Sequence, residues 1–367
     1  MHFKTINMYL KFAHIADCHL DAFNRNKFLY SQLNLSFTNA INSAIKNKVD
    51  FVLFSGDLFN NASPKIETLV FAINELKKLK TKNIPAYIIA GSHDYTPSGS
   101  TILNVLNAAE LAKNAYSPVF EDKNQNNQNN KPKLQLIQHK DANIFICGII
   151  GRITGLDKQL YSQLKIEPKK NAFNIFLFHN GIEEFKPKNM KNTNFLHLSE
   201  LPSGFDYYAG GHIHSFFKTK INNNKNLLVY PGSIYPTNIS EFENNKSFGY
   251  VLVEVNEDDI ELKKINTIPM DFKVIAIEKN IIKLNELELE ILSNIEKINC
   301  ENKIIVLKIK ALIEDGKASD FDIGKIEDRI LSKGAKKIEK NLSGLVSKSI
   351  FNAHFDANIS TKELEHF

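Results

Sequence analysis

Five short stretches of this chain combine the residue types that bind metal ions or move protons: Asp17-Cys18-His19, Gly56-Asp57, Gly91-Ser92-His93-Asp94, His179-Asn180 and Gly210-Gly211-His212-Ile213-His214. Imidazole nitrogens and carboxylate oxygens suit divalent ions. A carboxylate that bridges two ions about 3.5–4 Å apart prepares a site for hydrolysis at phosphorus. Asp57 is the natural bridge. In extended chain, side chains i and i+2 share a face, so Asp17 would pair with His19 and His212 with His214. A lone D-x-H or GHxH is more often a surface histidine or a satisfied core one. Five such stretches in order, each after a predicted strand, point to a single metal site.

The elements that position them read as alternating strands and helices. Residues 9–16 form a short, β-rich apolar run, the mark of a buried strand. Over 28–48, Leu29, Leu33, Phe37, Ile41, Ala44 and Ile45 recur at three and four, a helical period. A strand at 51–54, a helix from about Pro64 to 82 and a strand at 86–90 complete β-α-β-α-β. Such alternation implies a largely parallel sheet covered on both faces, with ligands at the strand carboxyl ends. Asp17, Asp57 and His93 each lie just past such an end. A helix over 101–113 and strands at 134–138, 144–149, 173–178, 207–209, 227–230 and 249–255 supply the second half of the core. The Asn- and Gln-rich segment 122–133 reads as a surface insertion. After about residue 267, a strand at 272–277, a helix within 284–298, a strand at 303–312 and a Lys-rich helix near 323–333 form a smaller β-α-β-α unit.

Composition excludes several classes. With 367 residues, 43% of them hydrophobic, the chain can bury a full core and exceeds usual single-domain size. It has no apolar run long enough for a membrane span and no signal-peptide pattern, so the expected address is the cytoplasm. Cys18, Cys147 and Cys300 are isolated and odd in number, which argues against a disulfide framework or a zinc ribbon. A net charge of +5, almost all from lysine, permits nucleic-acid binding without demanding it.

The set D-x-H, GD, G-[N/S]-H-D, H and GHxH resembles the calcineurin-like metallophosphoesterase superfamily, over about residues 9–256. The longer stretches KVDFVLFSGDLFN, AYIIAGSHDY and FDYYAGGHIH are similar to those of SbcD-type DNA double-strand-break repair nucleases, archaeal forms in particular. This resemblance implies an α/β fold, a layered α/β/β/α sandwich with a smaller α+β capping domain. Residues 1–266 would be the catalytic domain, 267–340 the cap, which contacts DNA, and 341–367 a C-terminal appendage. The resemblance also implies that Asp17, His19, Asp57 and His214 hold one divalent ion and Asp57, Ser92, His179 and His212 the other, with Mn²⁺ as the metal. His93 would stand beside the scissile phosphate and protonate, or stabilise charge on, the leaving oxygen. The implied assembly is a homodimer paired through its first helices, acting on DNA ends with an SMC-like coiled-coil ATPase.

Two positions depart from that pattern. Ser92 stands where the superfamily usually has asparagine, which would weaken the second ion's hold or interpose water. Asn60 stands where the repair nucleases commonly have histidine; it can hydrogen-bond but cannot shuttle a proton at neutral pH, which bears on exonuclease activity first. Other conspicuous residues fit plainer roles. Cys18 would point away from its neighbours and pack; His14, His139 and His197 are structural or exposed. Asp94 either orients His93 or caps a turn, and the Lys-rich stretches 165–170 and 333–340 are solvated faces or DNA contacts. Three functions remain compatible: the DNA endo- and exonuclease, a phosphodiesterase or phosphatase for a small nucleotide phosphoester, and a DNA-end-binding subunit with weak catalysis.

Overall fold

Alternation at period two decides where each strand of the larger unit faces. Leu10, Phe12, Phe51, Leu53, Tyr87, Ile89, Ile144, Ile146, Ile175, Leu177, Tyr207 and Ala209 all sit in one buried cluster, and each pair is two residues apart. The residues between them, such as Ala13, Val52, Phe176 and Tyr208, are buried too. Strands buried on both faces lie between two layers. The computed structural model, which describes residues 9–96, 101–119, 131–152, 157–186, 194–244, 247–256 and 259–348, shows those layers.

The first of two six-stranded sheets uses β1 (Leu10–Ile15), β2 (Phe51–Ser55), β3 (Ala86–Ile89) and the two-residue β4 (Lys113–Asn114), all parallel. After the small hairpin of β5 (Pro118–Val119) with β6 (Lys133–Leu134), the second sheet is built from β7 (Ile137–Gln138), β8 (Ile144–Gly148), β9 (Phe173–His179), β10 (Tyr207–Gly211), β11 (Phe217–Ile221) and β12 (Asn226–Tyr230). Its order is β11-β12-β10-β9-β8-β7. The chain then returns to the first sheet as β13 (Gly249–Val255) and β14 (Ile260–Asn266), giving the order β14-β13-β1-β2-β3-β4. Both sheets are parallel at the centre and antiparallel at one or both edges.

Helices close the sandwich. On the first sheet's outer face lies α1 (Lys27–Lys46), capped by the Asn26 side chain at Leu29 N–H, with Phe37 against Phe54 and Ser43 bonded to Tyr250. It packs beside α2 (Ile66–Thr81). The helix expected over 101–113 is only α3 (Ile102–Ala108), because Glu110 turns left-handed at φ 57° and the chain re-enters the sheet as β4. On the second sheet's outer face, Tyr161 of α4 (Asp157–Gln163) meets Phe176. The architecture is therefore α/β/β/α. No helix among the described residues is long and apolar enough to cross a membrane.

A second compact unit comprises Asn238–Lys246 and Met270–Phe367, so the chain lends it α5 (Ile239–Asn244) before returning to the larger unit. Three parallel strands, β15 (Phe272–Ile282), β16 (Ile304–Ile313) and β17 (Lys337–Ser347), carry α6 (Leu284–Glu296) and α7 (Ile323–Ser332) against one face. Leu287, Ile291, Ile295, Ile326 and Ile330 form the helices' buried stripe. The expected boundary at Asn341 needs correction: it falls inside β17. That strand's charges disguise it. Lys337 pairs with Glu339 and Lys340 with Glu327, the kind of charged edge that keeps a sheet from pairing with another chain. Residues 349–367 and most of the Asn-rich insertion lie outside the described residues.

Candidate metal centre

The inner-face register of the sandwich runs straight into the site. Continuing Phe12, Leu53, Leu177 and Ala209 by two residues reaches His14, Ser55, His179 and Gly211, all at strand carboxyl ends facing the opposite sheet. His14 locks this mouth: its Nδ1 lies 3.0 Å from the Tyr207 hydroxyl and its Nε2 3.0 Å from Ser55 Oγ. Burial lowers its pKa to about 3, so it serves as a neutral linker between sheets.

Past the strands the ligand-bearing chain is not extended, which corrects the i, i+2 argument. Asp17, His19, Asp57 and His212 all have positive φ, at 52°, 45°, 50° and 83°. Left-handed residues other than glycine cost about 1–3 kcal/mol each and cluster at functional sites. Backbone pairing holds them there: Asp17 N–H donates to Gly56 O (3.1 Å) and His19 N–H to Asp57 O (3.0 Å). Glycines admit the close approach. A methyl group at Gly211 would lie 1.9 Å from Ser55 O and 2.7 Å from His179 Nδ1; one at Gly91 would lie 2.2 Å from Asp57 Oδ1. We expect Gly211→Ala to lower stability by about 1–3 kcal/mol, the usual cost of overfilling, and to reduce divalent-metal uptake, both checked by thermal melts with and without metal. A variant that melts and binds like the parent would contradict this packing.

Eight residues named from sequence converge here. Ligand atoms of Asp17, His19 and His214 lie within 4.8 Å of one another, as do those of Asp17, Asp57 and His179 and those of His19, Asp57 and His93. Asp57 Oδ2 is 3.1 Å from His179 Nε2, 3.7 Å from His19 Nε2 and 3.3 Å from Ser92 Oγ, while Oδ1 accepts the His93 N–H at 2.8 Å. His212 sits with its ring 5.4 Å from that of His179, and its N–H donates to Asp17 Oδ1 at 2.9 Å.

Buried imidazole nitrogens show what the cluster is built to receive. His179 donates from Nδ1 to Ser55 O (2.8 Å), which aims Nε2 at the two carboxylates. That Nε2 meets Asp57 Oδ2 at 3.1 Å, and Nδ1 of His19 is buried without a hydrogen-bond partner. Nε2 atoms of His19 and His214 stand 3.1 Å apart. Imidazole nitrogens crowded against one another and around two carboxylates are what cations satisfy, so the donor set fits a pair of divalent ions. Burial lowers the pKa of His19 to about 3 and, with the charge of His179, that of His212 to about 4, leaving both rings neutral as ligands must be. Burial pushes the Asp57 carboxyl up, but the His179 charge outweighs it and holds Asp57 below the usual carboxylate range. His179 is raised correspondingly to about 10, burial being outweighed by Asp57, so as a ligand it would give up that proton to the bound cation's charge.

Three neighbours of the ligands take defined places: of its two readings Asp94 follows the turn-capping one, and Cys18 packs as expected. Asp94 does not bond His93: it accepts N–H groups of Leu58 (3.1 Å), Phe59 (2.9 Å) and Gly91 (3.1 Å), clamping the Asp57 loop to the Ser92 loop. Its only sequence signal was a carboxylate next to a candidate histidine. Asn60 contributes its main-chain oxygen, which accepts from His93 Nδ1 at 2.8 Å. Cys18 is buried and inert, its thiol pushed well up by burial. His139 bonds the Tyr87 hydroxyl (2.9 Å), and His197 lies apart, near Glu184.

A family model described as calcineurin-like phosphoesterase matches residues 10–216. DNA double-strand break repair protein Mre11 of Methanococcus maripaludis is 26% identical, over 97% of this chain and 92% of that protein. The protein of the same name from Methanocaldococcus jannaschii is 30% identical, over 82% of this chain and 77% of its own length. That from Saccharolobus solfataricus is 32% identical, over 73% and 66% respectively.

Proposed function

Because this chain belongs to the calcineurin-like phosphoesterase family, in the branch that holds the archaeal Mre11 proteins, we propose that it hydrolyses the phosphodiester backbone of DNA during double-strand-break processing. The observation that carries the reading is Asp57, one carboxylate within 3.7 Å of both His19 and His179 while its other oxygen fixes the backbone of His93. In this reading Asp17, His19, Asp57 and His214 hold one ion and Asp57, Ser92, His179 and His212 the other, with Mn²⁺ as the metal. When bound, such a pair neutralises phosphate charge and makes water nucleophilic at neutral pH.

The protein's own groups do the rest. A backbone carbonyl only accepts, so His93 donates from Nδ1 to Asn60 O, and Nε2 is left as the atom that exchanges a proton with substrate. That suits it to protonate the leaving 3′ or 5′ oxygen. Asp94 holds the two loops in register, and Ser55 fixes the tautomer of His179. Ser92 reaches Asp57 with a short hydroxyl and supports the second ion less firmly than a longer amide.

The test is to incubate purified protein and Mn²⁺ with labelled linear and hairpin DNA, beside a small chromogenic diester. We expect DNA cleavage to exceed diester hydrolysis and DNA affinity to fall steeply with salt. Hydrolysis of the diester alongside intact DNA would overturn the DNA reading. For assembly, we propose a homodimer through α1 and α2, whose Leu35, Ile66 and Val70 are 47%, 76% and 49% exposed. Ile66→Glu should shift the sedimenting species to monomer; an unchanged mass would refute this interface. An SMC-like coiled-coil ATPase is the proposed partner, and co-purification that survives deletion of residues 349–367, beyond β17, would exclude a docking role for them.

A further inference from the structure

Among the described residues, one basic side chain beside the site has no partner for its charge. Arg152 follows β8, and the residue before it lies flush against a proposed ligand: a methyl group at Gly151 would sit 2.7 Å from His179 Cδ2. Gly151 N–H also donates to Ala90 O (2.9 Å), just ahead of the turn that carries Ser92 and His93. From there the guanidinium stands 5.3 Å from the ring of Tyr95, two residues beyond His93. Tyr116 feels the same charge: burial pushes its phenol up and Arg152 pulls it back. Both ends of the Arg152 side chain are thus tied to elements of the metal centre.

The guanidinium, half-buried, makes no hydrogen bond or ion pair among the described residues, and its Nε–H is buried without an acceptor. A guanidinium carries five N–H donors and cannot lose its charge. Unpaired buried donors are few in native proteins, and each asks for a reason. Stacking on Tyr95 does not supply one, since an uncharged side chain could pack there. Arginine is also rare in this chain, three of 46 basic residues, and Arg329 in the second unit has its carboxylate in Glu296. What arginine offers over lysine is a planar fork that stacks on a ring while gripping two oxygens of a phosphate.

We infer that Arg152, braced on Tyr95, is a substrate-binding residue that grips a phosphate of the DNA strand flanking the cleaved bond. The inference rests on the nuclease reading above and adds to it a contact outside the metal cluster. A small diester has no flanking phosphate, so the contact serves the polymer far more than the model substrate. Aromatic rings with arginine are also the surface that single-stranded nucleic acid favours.

Arg152→Ala and Arg152→Lys in the full chain test it. For Arg152→Ala we expect KM for DNA to rise about ten- to a hundredfold, the worth of a charge-assisted contact, with kcat changed much less. The slope of log affinity against log salt for a fluorescein-labelled oligonucleotide should fall in magnitude by about 0.7–0.9, one phosphate contact. Diester hydrolysis should lose far less than DNA cleavage. Arg152→Lys should restore the slope and only part of the affinity. Equal fractional losses on DNA and diester, or an unchanged salt slope, would overturn the inference by showing a structural role or none. Parent protein inert on DNA but active on the diester would overturn the nuclease reading itself, and this contact with it.

Discussion

Asp57→Asn is expected to abolish phosphodiester hydrolysis, with kcat/KM falling on the order of a thousandfold or more. A single oxyanion donor is worth roughly 10²–10³, and Asp57 does more than one donor's work. It faces His19 and His179, receives Ser92 Oγ, and accepts the His93 N–H. Asparagine keeps the volume and one acceptor oxygen but removes the charge that both proposed ions share. The charge also matters to the fold, since His179 is held to about 10 by Asp57. Removing one partner of a buried pair costs about 3–5 kcal/mol when the other stays charged. Asp57→Asn should therefore melt earlier than the parent in chelator, which calorimetry can check. A variant with parental turnover would remove Asp57 from the centre of the mechanism.

His93→Ala should lower DNA cleavage about 10²–10⁴-fold, the usual contribution of a positioned general acid, while leaving metal uptake close to the parent's. Its ring is held through Nδ1 by a main-chain oxygen, so removing it leaves the ligand cluster's backbone contacts in place. A substrate with a p-nitrophenolate leaving group needs no proton, so the variant should lose much less on it than on DNA. An equal loss on both substrates, or loss of bound metal, would show that His93 acts as a ligand with His19 and Asp57, with which it also lies in reach.

Much of this was legible in the sequence, for a physical reason. Strands buried on both faces and helices with a 3.6 period leave strong patterns, so β1, α1, β2, α2 and β3 are found close to where the apolar residues place them. Edge strands leave weaker ones. The alternating Phe217–Ile221 and Ile260–Asn266 were readable in principle, and β17 was hidden by its lysines. Within the site, residue types named the participants but not their geometry. Asp17 and His19 meet their partners through left-handed turns rather than an extended chain, a conformation that no side-chain pattern announces. The Asp94 clamp and the His14–Ser55–Tyr207 link join residues far apart in sequence, and they become visible only once two sheets bring their strand ends together.

The central claim, that these side chains hold two cations around one shared carboxylate, is open to a direct count. Equilibrium dialysis of the full chain against Mn²⁺, read by elemental analysis, should find two ions per chain, the second held more weakly. Asp57→Asn should retain less than one. No uptake by the parent protein, or a full pair still bound after Asp57 has lost its charge, would contradict the account.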